Sequence, residues 1–313
     1  MQDKEGGRGD APEHRWIPGG SPLRIVRYSP DLLEGIVSIH CPRWREVPLG
    51  IRLSECGYWG DPKVFSWYVE NLLSVDGKVI VALKGEEVIG EAEVVPERSR
   101  SPVGEHAYLQ MVWVREEERR TGVGRQLVSE CCRIAEGMGF DALDTIPYDE
   151  AIPFFEALGF SEVDSQVVME AQSRPAPEQP KVEELGRREF PAAAQMIAGQ
   201  TRPSSLLWEL LWGREEVGLP PPRVLRVRVG LWEFIMGLFR PTFEDNYFYV
   251  LIWGPERAGL GQIFDSAEMA LTVAYEMGAT RVRTQTWCRY RAAFEAAGFE
   301  PLRRVKWMRK PLR

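Results

Sequence analysis

Hydrophobic and polar positions alternate with two different periods in the first half of the chain. Apolar side chains recur at helical spacing in Leu32–His40 and Pro62–Leu73, which predicts two helices. Lys78–Leu83 and Val88–Val95 are β-rich runs joined by a short turn that contains glycine, which predicts a hairpin. The nearly continuous apolar run Tyr108–Val114 predicts a third strand inside a sheet.

A further helix is predicted directly after that strand and the loop that follows it. Its apolar positions fall on one helical face: Val123, Leu127, Cys131, Ile134, Ala135 and Met138. Gly137 and Gly139 end the pattern, as glycine commonly does at a helix C-terminus.

The second half of the chain repeats this plan. Residues 133–162 and 272–301, which lie 139 positions apart, are identical at nine of thirty positions without a gap. The matches include a threonine, Thr145 and Thr284, and the Phe-Glu-Ala run that begins at Phe155 and Phe294. A repeat of this length has the size of a domain, so we infer an internal duplication.

Prolines and charged residues mark the predicted domain boundaries. Residues 1–20 are glycine-rich and charged and are expected to be disordered. Three prolines within six residues, Pro175, Pro177 and Pro180, predict a linker over 173–181. The two domains are then expected at 21–172 and 182–313.

Composition excludes several classes of protein. A net charge of −7 gives no basic surface for nucleic acid, and no apolar run approaches the length of a membrane span. Three histidines and five cysteines show no metal-ligand spacing, so no metal is expected. With no signal peptide pattern at the start of the sequence, we expect a cytoplasmic protein.

A glycine loop between the third strand and its helix is the main chemical motif. Arg119, Gly122 and Gly124 form an Arg-x-x-Gly-x-Gly pattern at a helix N-terminus, with two further arginines beside it. Glycines, backbone N–H groups and the helix dipole there favour an anion such as pyrophosphate. A helix cap and a solvated charged face are the alternative interpretations of the same residues. No lysine follows the glycines and Leu127 replaces a third glycine, so the two common nucleotide motifs do not fit.

These features together resemble the GNAT superfamily, the Gcn5-related N-acetyltransferases. The resemblance rests on Val-Trp-Val at 112–114, the Arg-x-x-Gly-x-Gly loop, the hairpin with Gly85 and Gly90, and the segment Ala151–Phe160. It implies an α/β (α+β) fold with two tandem GNAT-like domains, each a mixed, mainly antiparallel sheet flanked by helices.

The resemblance also implies an acyl-donor site for acetyl-CoA. The strand would bind the pantetheine arm and the loop the pyrophosphate, through residues Val112, Trp113, Val114, Arg119, Arg120, Thr121, Gly122, Val123, Gly124 and Arg125. The implied reaction is acetyl transfer to a primary amine of a small molecule or peptide. An acyl-CoA-binding regulatory module with little or no transferase activity, and a scaffold without a ligand, are the alternatives.

The expected catalytic residues depart from the family pattern. Phe155 stands where many members have a tyrosine that acts as general acid. Either Tyr148 or water protonates the thiolate, or the thiolate leaves unprotonated, or the first domain binds the cofactor without efficient turnover. Glu91, Glu93 and His106 are candidates for the general base. The two glutamates alternate with apolar residues, and a strand with one solvent-exposed face has the same pattern.

Two further expectations concern the rest of the chain. At the position of the first glycine loop the second domain has Ala258, Gly261 and Ile263, so it is expected to be a degenerate copy that contributes packing or one wall of the acceptor site. Aromatic residues such as Trp59 and Trp67 either line an apolar acceptor pocket or belong to the core.

Overall fold

The computed structural model describes residues 22–99, 101–176, 181–199, 202–243 and 245–312. Over these ranges thirteen strands form one mixed sheet, and helices lie on both of its faces. The segment 1–20, which we expected to be disordered, lies outside the described residues, as does part of the expected linker, 177–180.

The first half contains the elements that build the glycine loop and its surroundings. Its strands are β1 (Leu23–Arg27), β2 (Lys78–Lys84), β3 (Glu87–Glu97), β4 (His106–Val114), β5 (Ala142–Thr145) and β6 (Ser161–Gln172). Its helices are α1 (Leu33–His40), α2 (Leu49–Cys56), α3 (Pro62–Ser74), α4 (Val123–Gly137) and α5 (Ile152–Glu156).

The second half has a similar order of elements. Its strands are β7 (Val182–Glu184), β8 (Gln195–Gly199), β9 (Arg223–Val229), β10 (Trp232–Phe239), β11 (Tyr247–Gly254), β12 (Arg281–Trp287) and β13 (Glu300–Pro311). Its helices are α6 (Ser204–Glu209), α7 (Leu260–Glu276) and α8 (Arg291–Ala296). None of the helices in the described part of the chain combines the length and apolar character that a membrane crossing needs.

Alternating side chains of β2 explain why helices cover both faces of the sheet. Val79 and Val81 pack with the residues of α1 and α3, whereas Ile80 and Ala82 pack with those of α4. A strand that is apolar on both sides must be covered on both sides. The first-half sheet therefore lies between α1–α3 on one face, called here the acceptor face, and α4 on the other.

The duplication predicted from the sequence is confirmed. The pairs β5 and β12, α5 and α8, and β6 and β13 each begin 139 residues apart. Thr145 and Thr284 occupy the same place in their halves and make the same hydrogen bond, donating to the carbonyl oxygens of Leu109 at 3.0 Å and Val250 at 2.6 Å.

The two halves exchange their last strands. The strand order is β1-β2-β3-β4-β5-β13-β6-β12-β8-β11-β10-β9-β7. The last strand of the second half, β13, pairs antiparallel with β5 of the first half, and β6 pairs antiparallel with β12 of the second. The tandem GNAT fold class predicted from the sequence is confirmed, with the two sheets joined into one.

Candidate active site

A gap opens between β4 and β5 where their pairing ends. The two parallel strands are paired only at Ala107 with Leu143 and at Tyr108 with Asp144. Beyond the Thr145 hydroxyl, which donates to Leu109, the rest of β4 has no strand on that side among the described residues. The gap leaves an open strand edge facing a cavity.

The backbone of β4 points into this gap at the residues that the sequence analysis named. The N–H of Arg115 donates to the carbonyl of Ile89 on β3 at 2.9 Å. Because bonded and non-bonded pairs alternate along an antiparallel ladder, the N–H and C=O groups of Val112 and Val114 point away from β3. The N–H groups of both residues and the carbonyl of Val112 are available to an extended ligand lying along the open edge.

A β-bulge interrupts β4 at the start of the open edge. Glu93 pairs with Met111 and Val94 with Leu109, so Gln110 is an extra residue without a partner on β3. Bulges redirect backbone groups and often lie next to active sites. Here the bulge turns β4 at the point where it leaves β5.

The glycine loop forms a cradle of backbone N–H groups beside the end of β4. Arg120 and Gly122 both have positive φ, 64° and 97°, and α4 begins at the next residue. Successive turns of this kind and a helix N-terminus direct N–H groups into one concavity, which suits an anion. A Cβ on Gly124 would lie 3.4 Å from the Phe154 ring, so the loop packs closely against the start of α5.

Arg119 ties the loop to the strand. Its Nε donates to the carbonyl of Val114 at 3.1 Å, and its guanidinium lies 5.1 Å from the centre of the Trp113 ring. Arg120 and Arg125 are exposed and have no salt bridge among the described residues. The loop therefore offers two uncompensated cations next to its N–H groups.

A single cavity of about 1000 Å³ joins the open strand edge, the loop and the second half. Of the predicted donor-site residues, seven line it: Val112, Val114, Arg119, Arg120, Gly122, Gly124 and Arg125. Trp113, Thr121 and Val123 do not line it, because the Trp113 indole donates to the carbonyl of Ile39 and Val123 is buried in the core.

Glu93 lies under an aromatic layer and not in the cavity wall. Its carboxyl group accepts hydrogen bonds from Trp59 Nε1 at 2.9 Å and from the Tyr68 hydroxyl at 2.6 Å. Burial raises the pKa of Glu93 to about 8, although both hydrogen bonds oppose that shift. Trp59 lines the cavity and Trp67 belongs to the core.

Glu91 forms a second buried pair beside Glu93. One of its carboxyl oxygens lies 2.6 Å from His40 Nε2, and the imidazole is stacked between the rings of Trp59 and Trp113 at 5.7 and 5.0 Å. The interpretation of Glu91 and Glu93 as an exposed strand face is wrong, since neither exposes any surface. Helices cover both faces of β3. Trp59 and Tyr68 bind both oxygens of Glu93, whereas Glu91 contacts His40 through one oxygen and its other oxygen, Oε2, is buried without a hydrogen-bond partner among the described residues.

The other two catalytic candidates lie in different environments. His106 is buried outside the cavity wall, with Nδ1 2.8 Å from the carbonyl oxygen of Gly104. Tyr148, directly after β5, lines the cavity and is 63% exposed. Phe155 also lines the cavity and has no proton to donate.

The corresponding gap in the second half is filled by the chain itself. Strand β8 lies between β11 and β12, pairing Ala198 with Ile252 on one side and with Thr286 on the other. The Thr286 hydroxyl donates to the carbonyl of Ile197 at 2.9 Å, which anchors β8 in the gap.

The loop of the second half also lacks the cradle. No residue of the described segment 255–262 has positive φ, and the N–H of Gly259 donates to its own helix at Gln262 Oε1, 3.0 Å away. Ile263, at the position of Gly124, is buried in the core.

The sequence analysis missed the cavity residues that come from the second half. They share no local motif: Arg202, Tyr249, Arg283, Thr284, Gln285, Leu302, Arg303 and Val305. The expectation that the second half forms one wall of the acceptor site named no residues, and no sequence signal marks these.

Comparisons with known proteins find a family match over part of the chain. Residues 38–160 match the acetyltransferase (GNAT) family. No curated protein sequence matches the chain.

Solved structures similar to the chain cover nearly all of it. A candidate acetyltransferase from Pyrococcus horikoshii has 15% identity and a TM-score of 0.60 over 97% of this chain and 93% of its own. A GCN5-related N-acetyltransferase from Anabaena variabilis has 11% identity and a TM-score of 0.60 over 93% of this chain and 73% of its own. A tandem GNAT protein from the clavulanic acid biosynthesis pathway has 14% identity and a TM-score of 0.55 over 93% of this chain and 99% of its own.

The general class of activity follows from the family match, and the fold of the second half follows from the structural likeness. The family is one of N-acyltransferases, so the chain is an enzyme of that class. Residues 38–160 belong to the GNAT family of acetyltransferases, and the whole chain has the fold of a tandem GNAT protein.

Proposed function

We propose that the chain transfers the acetyl group of acetyl-CoA to a primary amine, with one donor site per chain, in the first half. The observation that carries this proposal is the meeting of an open β4 edge and a positive-φ loop in one cavity. An extended amide-bearing arm fits the strand edge, and a pyrophosphate fits the N–H groups and the arginines of the loop.

The chain's own groups suit direct attack of the amine on the thioester. The amine, having lost a proton to water, attacks the carbonyl carbon, and backbone N–H groups near the bulge at Gln110 polarise the oxygen. The C–S bond then breaks, the attacking nitrogen loses a further proton to water to give the amide, and the thiolate takes a proton. The Tyr148 hydroxyl, which faces the cavity, is our proposed donor of that proton.

Glu93 is a positioning residue in this proposal. Its carboxyl group fixes the Trp59 indole and the Tyr68 hydroxyl, and Trp59 faces the cavity. His106 takes no part, because it is buried away from the cavity wall.

The second half is proposed to bind no acetyl-CoA. Strand β8 already occupies the edge that a pantetheine arm would use, and the Gly259 N–H is bonded within its own helix. Calorimetric titration of the full chain with acetyl-CoA is therefore expected to give a stoichiometry near one.

The decisive test compares glycines in equivalent loops. Gly124→Glu places a carboxylate in the anion cradle and a side chain against Phe154, so acetyl-CoA affinity should fall at least about 100-fold. Gly261→Glu, where a Cβ meets nothing within 4 Å, is the matched control and should leave the affinity unchanged. Unchanged affinity of the Gly124 variant would contradict the donor site.

A binding module without turnover is the second candidate function, favoured by one observation. Phe155 lines the cavity at the position where a proton-donating tyrosine is common in the family. Acetyl-CoA binding without release of free thiol, across a range of amines, would support this candidate over the transferase.

A further inference from the structure

The cavity continues well beyond the donor site onto the central strands of the sheet. Its far wall contains Arg283 and Gln285 of β12, Val168 of β6 and Arg303 of β13. Gln285, Val168 and Arg303 are direct cross-strand neighbours and so share the acceptor face.

This wall is too far from the glycine loop to serve the same anion. In the strand order β13 lies two positions and β12 four positions from β4, which corresponds to roughly 10 Å and 19 Å at the usual spacing of neighbouring strands. The arginines of the far wall therefore meet a different part of the reacting molecules from the arginines of the loop.

The charged side chains in the described cavity lining are all positive. Six of the described lining residues are arginines, and none of the described lining residues is Asp, Glu, Lys or His. Three of the arginines belong to the loop, and the other three are Arg202, Arg283 and Arg303.

Arg202 is held rigidly at the edge of the aromatic layer. Its guanidinium lies 5.4 Å from the centre of the Tyr58 ring and is hydrogen-bonded to the hydroxyl of Tyr68. That hydroxyl in turn donates to Glu93 at 2.6 Å. The chain of contacts orients a buried cation at the cavity surface.

The two arginines of the far wall carry more positive charge than their surroundings neutralise. Glu170 pairs with both Arg283 at 2.7 Å and Arg281 at 3.2 Å, so one carboxylate serves two guanidinium groups. Arg303 has no ion pair among the described residues. A ligand anion there would remove an electrostatic imbalance and could accept the paired N–H bonds that arginine donates.

We propose that the acceptor is an amine that also carries an anionic group, a carboxylate or a phosphate, and that Arg303 and Arg283, with Arg202, bind that group. This inference rests on the proposed transferase function. Apolar and aromatic neighbours of the three arginines, among them Trp59, Val305 and Tyr249, would contact the body of the acceptor.

Two matched pairs of amines test the proposal and distinguish the two anions. L-phenylalanine is compared with phenethylamine, and O-phosphoethanolamine with ethanolamine, by CoA release with each rate corrected for the fraction of free amine. In at least one pair the anionic member should have a kcat/KM at least about tenfold higher. The proposal is wrong if both neutral amines react as fast as their anionic partners or faster. It is also wrong if none of the four amines releases CoA although acetyl-CoA binds tightly.

Neighbouring arginines on β13 provide the variant and its control. Arg303→Gln should remove most of the preference for the anionic amine over its neutral partner. Arg304→Gln is the control. Arg304 lies on the opposite face of β13 and pairs with Glu162 at 2.6 Å, so this variant should keep the preference for the anionic amine. Loss of the preference in both variants, or in neither, contradicts the assignment.

Calorimetry with acetyl-CoA alone separates this proposal from the function on which it rests. If the wild type binds acetyl-CoA but favours neutral amines, the acceptor class is wrong and the transferase stands. If it binds no acetyl-CoA, the proposed function itself fails.

Discussion

The buried pair of Glu91 and His40 makes the enzyme's stability depend on pH. Burial raises the pKa of Glu91 to about 8 and lowers the pKa of His40 to about 3. At neutral pH both groups are therefore uncharged, and the Glu91 carboxylic acid donates its proton to His40 Nε2, 2.6 Å away. The pair resembles an ordinary hydrogen bond more than a salt bridge.

Glu91→Gln should change the pH dependence of stability. The raised pKa of Glu91 gives stability that is fully present below about pH 4.5 and is lost as the pH rises to about 8. Glutamine does not titrate, so the free energy of unfolding of the variant should increase relative to that of the wild type as the pH rises, by at most about 1.4 kcal/mol per pH unit. Urea unfolding between roughly pH 5.5 and 8.5 measures the difference.

Glu87→Gln is the control for that experiment, because Glu87 begins the same strand but is exposed. Arg115 beside it lowers the pKa of Glu87, so Glu87 stays ionised throughout this pH range. The control should follow the wild-type pH profile. If the unfolding free energies of the Glu91 variant and the wild type depend on pH in the same way, Glu91 is already ionised in the folded protein.

Tyr148→Phe tests the proposed proton donor. Without the phenolic hydroxyl the thiolate must be protonated by water, so kcat should fall about tenfold or more while acetyl-CoA affinity is unchanged. Tyr275→Phe, on the exposed surface of α7, is the control and should not change kcat. A wild-type kcat in the Tyr148 variant would exclude this tyrosine as the acid.

At the level of elements, one buried carboxylate joins β5 to the exchanged strand β13. Asp144 is fully buried and accepts hydrogen bonds from Trp307 Nε1 at 2.7 Å and from Arg309 Nε and Nη2 at 2.7 and 2.8 Å. These bonds cross between the two halves of the chain. Asp144 therefore fixes the register of an interface that the strand order alone would leave free to slip.

Asp144→Ala should destabilise the enzyme by about 2–4 kcal/mol, because it leaves the Arg309 guanidinium and the Trp307 N–H without their acceptor. Thermal or urea unfolding measures the loss. Glu162→Ala, on the neighbouring strand β6, removes exposed ion pairs with Arg304 and Lys306 and should cost less than about 1 kcal/mol. Similar losses in both variants would argue against a special role for Asp144.

At the level of the whole molecule, the strand exchange makes the two halves interdependent. Strand β13 pairs with both β5 and β6, so a first half expressed alone would expose two strand edges. The cavity would also lose Arg283 and Arg303. Folding and acceptor binding thus depend on the same exchange.

Neither 22–176 nor 181–312 expressed alone should unfold cooperatively, whereas the two co-expressed should form one complex that does. Calorimetry and size-exclusion chromatography measure this, with the full-length chain as reference. A first half that melts cooperatively by itself near the full-chain Tm would show that the exchanged strand is dispensable.

Much of the first half could be predicted from sequence because its signals are local. The structure extends the predicted helix over Pro62–Leu73 by one residue to give α3, and Asp61 caps it by accepting hydrogen bonds from the N–H groups of Lys63 and Val64. By contrast, α2 and β8 were not predicted. They are short, and β8 is a strand only because β11 and β12 flank it.

The sequence by itself determined the resemblance to the GNAT family, the duplication and the glycine loop, since each depends on consecutive residues or on a fixed offset. Only the tertiary structure decided that β6 and β13 exchange, that β8 fills the second gap, and that Glu91 and Glu93 are buried. It also brought Arg202, Arg283 and Arg303 to one cavity. The physical reason is that strand pairing and burial depend on residues 25 to 165 positions apart in the chain, whose contacts leave no periodic trace in the sequence.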